Sequence, residues 1–204
     1  PQGLHESLVG LGHLIVSGIL QMLETCPVQI VAQRKELLQG SKVFFSFEPI
    51  RAKFLPFLPR FFSEKLMLGT GFTASDGMRT QMYTQLADLV HHLRHQLSYP
   101  LLCHAIFVYS RCLHDPLFPA QTQAMSTRLI MNLCEAFTAA ENRAGEPCRD
   151  LLFQVLENSI CKLRVIIIYH FPIMFQLHGE GQVFNICEFS KQELYVMRVF
   201  LRYE

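Results

Sequence analysis

Residues 81–97 read "QMYTQLADLVHHLRHQL", and the spacing of the apolar residues in this stretch decides the fold class. At about 100° per residue, six apolar residues fall within one stripe. They are Met82, Leu86, Leu89, Val90, Leu93 and Leu97. Such a stripe is typical of an amphipathic helix that packs one face against a core. We therefore predict a helix over about 75–97.

The same helical spacing recurs along the rest of the chain, and strand-like alternation is nearly absent. The pattern predicts further helices at about 4–25, 28–38, 50–66, 100–114, 120–140, 150–171 and 190–204. Pro56 and Pro59 should kink or divide the helix at 50–66. Successive helices joined by short turns predict an all-α fold, a HEAT-like α-solenoid of stacked antiparallel helix pairs. A closed helix bundle is the alternative.

Two stretches interrupt this pattern. Residues 39–50, "QGSKVFFSFEPI", contain Gly40 and Pro49 and show no helical register, so we expect an irregular break there. Residues 141–149, "ENRAGEPCR", should form a polar link. The chain begins and stops within helical patterns. We interpret residues 1–204 as a fragment of a helical-repeat region of a much larger protein.

Composition narrows the class of protein. Half of the 204 residues are apolar and only 17% are charged, which excludes a disordered tail. The net charge is +1 and the basic residues are scattered, which argues against direct binding of nucleic acid. The most apolar run, "VIIIYHFPIMF" from Val165 to Phe175, is about half as long as a membrane span. We predict no membrane segment.

Seven cysteines occur without a C-x-x-C pair, and most stand among helical apolar residues. This usage favours reduced, buried thiols over a disulfide framework or a zinc site.

The histidines of the opening stretch are the candidate functional residues. Asp88, His91 and His95 lie opposite the apolar stripe, and His92 lies nearer its boundary. His91 and His95 have the i, i+4 spacing of two zinc ligands, but His92 occupies the place where a zinc protease needs its catalytic Glu. Three interpretations stay open. The face is solvated, with Asp88 pairing with a histidine; it docks a partner protein; or His91 and His95 bind metal in a small helical hydrolase.

No other stretch has the pattern of a catalytic motif. The chain lacks a G-x-S-x-G elbow, and "GTGFTASDG" at 69–77 matches neither phosphate-binding pattern. We therefore predict no catalytic residues and no cofactor.

Four stretches resemble the TRRAP family of transformation/transcription domain-associated proteins. They are "TCPVQIVAQRKELL" at 25–38, "LMLGTGFTASDGMRTQMYTQLADLVHHLRHQL" at 66–97, "QTQAMSTRLIMNLCEAF" at 121–137 and "RDLLFQVLENSICKL" at 149–163. The most specific element is "LADLVHH" at 86–92. The resemblance covers the central HEAT-repeat region of that family over about 20–175.

The resemblance implies a non-enzymatic scaffold, because the family belongs to the phosphatidylinositol-kinase-related group and its kinase-like domain is a pseudokinase. It also implies a nuclear subunit of SAGA-type histone acetyltransferase complexes that receives transcription activators. A HEAT-repeat adaptor of another pathway is the alternative. The chain departs from the family between 38 and 56, where the family pattern is helical and Gly40 and Pro49 appear here. A divergent homologue, a distorted helix or a mis-spliced gene model would each explain that departure.

Overall fold

The computed structural model describes residues 10–27, 30–69, 76–144 and 148–172. These residues are almost entirely helical and include no β-strand, which confirms the predicted all-α fold. The chain divides into two compact units, Pro1–Ala105 and Ile106–Glu204. The predicted helix at 190–204 and most of the "GTGFTASDG" turn lie outside the described residues.

The described residues of the first unit form six α-helices and the start of a seventh. They are α1 (Gly12–Thr25), α2 (Val31–Ser46), α3 (Glu48–Arg51), α4 (Leu58–Phe61), α5 (Glu64–Leu68), α6 (Asp76–Leu93) and α7 (Tyr99–His114). Short 3-10 segments occur at Ala52–Phe57 and Arg94–Gln96. The α7 helix continues into the second unit, because the division falls between Ala105 and Ile106.

The prediction that the second helix ends at about residue 38, before Gly40, was wrong. Helix α2 runs through Gly40 to Ser46, and the irregular break expected at 39–50 narrows to Phe47 before α3 begins. The reason is burial, since Leu38, Ser41 and Phe45 face the core at helical spacing. Gly40 is exposed, and its weak helix propensity, about 1 kcal/mol relative to Ala, is smaller than the gain from burying that face.

The two prolines divide the next segment as predicted. Pro56 lies within the 3-10 segment and Pro59 near the start of α4, where a missing backbone N–H costs little. This sharp path brings the rings of Phe45, Phe54 and Phe61 together in the core, with centroids 5.0–5.6 Å apart. Two of the three ring pairs meet edge to face, the arrangement that aromatic quadrupoles favour.

Helix α6 confirms the pattern of the opening stretch. All six residues of its apolar stripe are buried, and α6 packs against α2. Its upstream neighbour α5 ends at Gly69, which has a φ of 84° that side chains disfavour.

The second unit continues with α8 (Ala120–Cys134), α9 (Phe137–Ala144), α10 (Arg149–Val165) and a π-helical turn at Ile166–His170. The single helix predicted at 120–140 is therefore two, interrupted at residues 135–136. The polar link expected at 141–149 begins as helix, because α9 extends to Ala144. The Glu141 carboxylate accepts a 2.6 Å hydrogen bond from the Cys148 backbone N–H, which satisfies a donor at the start of α10.

Three of the six cysteines in the described ranges, Cys26, Cys112 and Cys148, are buried, as predicted, whereas Cys103 and Cys134 are half-buried and Cys161 is exposed. All six are free thiols. Within these ranges, no helix combines the length and apolar character needed to cross a bilayer.

Candidate functional site: the histidine face of α6

One side of α6 is polar and open to solvent. Asp88 and His92 are exposed on α6, and His95 is exposed in the 3-10 segment that follows it. His91, expected opposite the apolar stripe, is half-buried, whereas His92, expected nearer the boundary, is exposed. We call these four residues the histidine face. Thr84 lies on the same stripe as Asp88, one turn earlier, and is also exposed. The sequence interpretation missed Thr84, although its i–4 spacing to Asp88 was a sufficient signal.

The buried stripe on the other side of α6 fixes the position of the histidine face. The rings of His91 and His92 lie with centroids 5.5 Å apart and planes inclined by 64°. The Arg94 guanidinium donates a 2.8 Å hydrogen bond to the His91 carbonyl, so it is held against the last turn of the helix. The face therefore presents imidazole and carboxylate groups that accept and donate hydrogen bonds on a rigid element.

The described part of the chain shows no set of ligands for a metal ion at this face. In residues 10–27, 30–69, 76–144 and 148–172, no three His, Cys, Asp or Glu side chains lie close enough together to hold one. His91 and His95 provide two imidazoles at most, and structural zinc sites use four protein ligands while catalytic ones use three. No described neighbour supplies the missing ligands.

A second surface feature lies between α1 and α2. It is an open groove of about 520 Å³, and its floor includes Ile19, Leu37 and Phe44. Gly40 lies in its wall, and a Cβ atom at Gly40 would meet no atom within 4 Å. Apolar side chains line much of the groove, and charged groups do not converge on it. We therefore interpret it as a packing surface.

A buried arginine stabilises the end of α1. Arg34 is 2% exposed, and its guanidinium donates to four backbone carbonyls. Nη1 reaches Leu66 O at 2.8 Å and Met67 O at 3.4 Å; Nη2 reaches Leu23 O at 3.2 Å and Cys26 O at 2.7 Å. These carbonyls lie at or near the C-terminal ends of α1 and α5, where the helix dipole favours a cation.

Pro27 explains why α1 needs this donor. In an uninterrupted helix the Leu23 carbonyl would accept from the N–H of residue 27, which proline lacks. Arg34 supplies the missing donor from the next helix. Because the contact joins residues of different helices, no local sequence pattern indicated it.

A lysine, Lys162, is buried in the second unit. Lys162 is 8% exposed, and its ammonium donates a 2.6 Å hydrogen bond to Gln123 Oε1. The Gln123 amide nitrogen in turn donates to the carbonyls of Asp115 and Phe118. Burial lowers the pKa of Lys162. The imidazole of His114 lies near this ammonium group. Partial burial and, to a smaller extent, repulsion from Lys162 lower the pKa of His114.

The chain matches a family model over most of its length. Residues 2–184 match the model described as the Tra1 HEAT repeat central region. The match includes the histidine face, nearly all of the first unit and residues 106–184 of the second.

Known proteins in animals and fungi are similar to the chain. It is 45% identical to transcription-associated protein 1 of Caenorhabditis elegans over 168 residues, which is 82% of this chain and 4% of that protein. It is 33% identical to the human transformation/transcription domain-associated protein over 162 residues, 79% of this chain and 4% of that protein.

A fission-yeast relative carries a more specific name. The Schizosaccharomyces pombe SAGA complex/NuA4 acetyltransferase complex subunit Tra1 is 32% identical over 155 residues, 76% of this chain and 4% of that protein. The chain thus spans about 4% of the length of these relatives. The matched region of the family is a HEAT-repeat region and not a catalytic domain. The all-α architecture and the family match agree, and the chain belongs to the TRRAP/Tra1 family as part of its central HEAT-repeat region.

Proposed function

We propose that this chain is a non-catalytic scaffold segment of a nuclear transcription coactivator subunit that brings histone acetyltransferase complexes to activators. The observation that carries the proposal is the match to the Tra1 central HEAT region, together with a relative named as a SAGA and NuA4 subunit. The scaffold acts through geometry, since packed helix pairs hold binding surfaces at fixed spacing on one chain.

We further propose that the histidine face docks a protein partner in that assembly. Its support is its composition and placement, because four polar side chains stand exposed or half-exposed on α6 and the 3-10 segment that follows it, and the apolar stripe of α6 is buried. Imidazoles and a carboxylate provide directional hydrogen bonds, which give a protein interface specificity. The metal-dependent hydrolase remains the weaker hypothesis, since no observation favours it.

The test uses the endogenous full-length protein in nuclear extract. A tagged protein is purified natively, and its partners are quantified by mass spectrometry. We expect acetyltransferase-complex subunits with the unedited protein. The edit His91→Ser with His95→Ser should reduce the recovery of at least one subunit.

A matched edit on α2 provides the control. Gln39→Ser with Lys42→Ser changes two exposed polar residues away from the histidine face and should leave recovery unchanged. Loss of no subunit in the histidine edit would reject the docking face but not the scaffold role. Absence of acetyltransferase subunits from the unedited protein would reject the scaffold role itself.

A further inference from the structure

The turn between α7 and α8, residues 115–119, holds an apolar side chain in solvent. Leu117 in this turn is 66% exposed, whereas the next residue, Phe118, is buried. The Leu117 backbone N–H donates a 2.9 Å hydrogen bond to the Asp115 carboxylate, and the Phe118 N–H donates to the Asp115 carbonyl at 3.2 Å. The buried ring and these bonds keep the turn in one shape, so Leu117 has a fixed position.

Side chains of two further helices also hold the turn. The Gln123 amide of α8 donates to the carbonyls of Asp115 and Phe118 at 3.0 and 2.9 Å. The ammonium of Lys162 on α10 donates to Gln123 Oε1 and so fixes which way this amide points. A rigid turn matters for binding, because a side chain that is already in place loses little conformational freedom when a partner covers it.

The last part of α7 carries an exposed stripe that leads to this turn. Phe107, Arg111 and His114 are exposed and share one side of the helix at i, i+4 and i+7 spacing. Phe107 is 61% exposed, and the Arg111 guanidinium lies 5.9 Å from its ring centroid. The stripe extends about 10 Å along the helix axis. We call Phe107, Arg111, His114 and Leu117 the turn surface.

Arg111 supplies a positive charge to the turn surface. Its guanidinium forms no ion pair with any residue in the described part of the chain. The nearest carboxylate in sequence, that of Asp115, is half-buried and accepts the Leu117 N–H. Aromatic and arginine side chains contribute most of the binding energy in many protein interfaces. The turn surface is therefore complementary to an apolar pocket that has a carboxylate at its edge.

We propose that the turn surface binds a folded partner protein, which receives Leu117 in an apolar pocket and places a carboxylate against Arg111. The partner is folded because a protruding side chain on a rigid turn is buried best by a preformed pocket, whereas a flexible peptide binds in a groove. Described helices both precede and follow this surface in the chain, so it is not the uncovered face of a terminal helix. The proposal does not rest on the scaffold role or on the histidine face.

Photo-cross-linking in the endogenous full-length protein tests this interface. A benzophenone amino acid replaces Leu117, the natively purified protein is irradiated, and peptide mass spectrometry identifies the residues joined to position 117. We expect one principal cross-link, to an apolar pocket of a folded partner that has an Asp or Glu at its edge. The matched control places the same amino acid at Gln121, an exposed polar residue of α8, and should give little of this product.

A charge reversal tests the contribution of Arg111. With benzophenone at position 117, Arg111→Glu should lower the cross-link yield about tenfold, and Arg111→Lys should lower it less. Changing the partner's carboxylate to lysine should restore the yield with Arg111→Glu. The abundance and the gel-filtration elution of the full-length protein should stay the same, because Arg111 is exposed and its replacement leaves the core unchanged.

Other outcomes would overturn the proposal. A cross-link within the chain would assign Leu117 to internal packing, and one to a second copy would make the surface a self-association site. A cross-link to a disordered acidic segment would replace the folded pocket by a flexible ligand. Equal yields from positions 117 and 121, or no product from either, would show that no partner is seated on the turn. A yield that Arg111→Glu leaves unchanged would exclude the paired carboxylate.

Discussion

Replacing Arg34 by methionine should destabilise the first unit more than any surface substitution of arginine. Methionine fills much of the same space but donates no hydrogen bond. Three of the four bonds from the guanidinium measure 3.2 Å or less, so three carbonyls lose a close partner. Each buried carbonyl left without a donor costs about 1 kcal/mol or more.

We expect Arg34→Met to lower the free energy of unfolding by about 3–5 kcal/mol. The Nε atom of Arg34 is buried without an acceptor in the described part of the chain, and methionine removes this unsatisfied donor. The net loss in free energy of unfolding is therefore smaller than the sum of four strong hydrogen bonds. At about 2–4 °C per kcal/mol for a chain of this size, the melting temperature should fall by about 10 °C. Arg34→Lys keeps the charge but not the planar fork of donors. Its free energy of unfolding should lie between those of the unsubstituted protein and Arg34→Met.

The assay is urea unfolding followed by far-UV circular dichroism. Arg51 provides a matched control, because it also donates to carbonyls at the end of α2, to Phe45 O at 3.0 Å and Ser46 O at 2.8 Å. Arg51 is only half-buried, so water replaces it, and Arg51→Met should cost about 1 kcal/mol. Equal losses for the two substitutions, or a loss below about 1 kcal/mol for Arg34→Met, would refute the reasoning.

Four further substitutions test other features of the fold. Gly40→Ala should raise the free energy of unfolding, measured with urea, by about 0.5–1 kcal/mol. The new methyl group meets no atom in the folded helix, and it restricts the backbone of the unfolded chain. Gly12→Ala should gain less, since its Cβ would approach Lys53 Cγ at 3.0 Å. Phe54→Ala should cost about 3–5 kcal/mol, because this fully buried ring contacts two other rings; an unchanged melting temperature would contradict the role of the cluster. Burial lowers the pKa of Lys162 from its usual 10.5, so the folded state binds fewer protons than the unfolded state between the lowered value and 10.5. Stability measured by urea unfolding should therefore rise with pH across that window, and Lys162→Met should flatten the rise.

The sequence predicted those parts of the fold that depend on local pattern. The buried stripe of α6 and the exposure of Asp88 follow from side-chain spacing, whereas the relative exposure of His91 and His92 is the reverse of that expected. The end of α1 at Thr25 follows from Pro27, which disfavours helical geometry in the residue before it. Features of this kind need no knowledge of neighbouring helices.

The errors occurred where packing outweighs local preference. Gly40 indicated a helix end, yet the buried residues on either side of it keep α2 helical to Ser46. The interruption between α8 and α9 has no signal, because Leu129, Leu133 and Phe137 continue one apolar row across it. The four acceptors of Arg34 belong to other segments of the chain, so only the folded structure reveals them.

The contacts of Arg34 form in a fixed order as the chain is synthesised. Leu23, Cys26 and Arg34 leave the ribosome early, whereas the carbonyls of Leu66 and Met67 are made more than thirty residues later. During that interval the guanidinium has only the acceptors of its own helix hairpin, and α1 and α2 lack the third element that completes their core. A pause in translation before residues 66 and 67 have emerged from the ribosome would therefore leave the nascent hairpin without these two contacts.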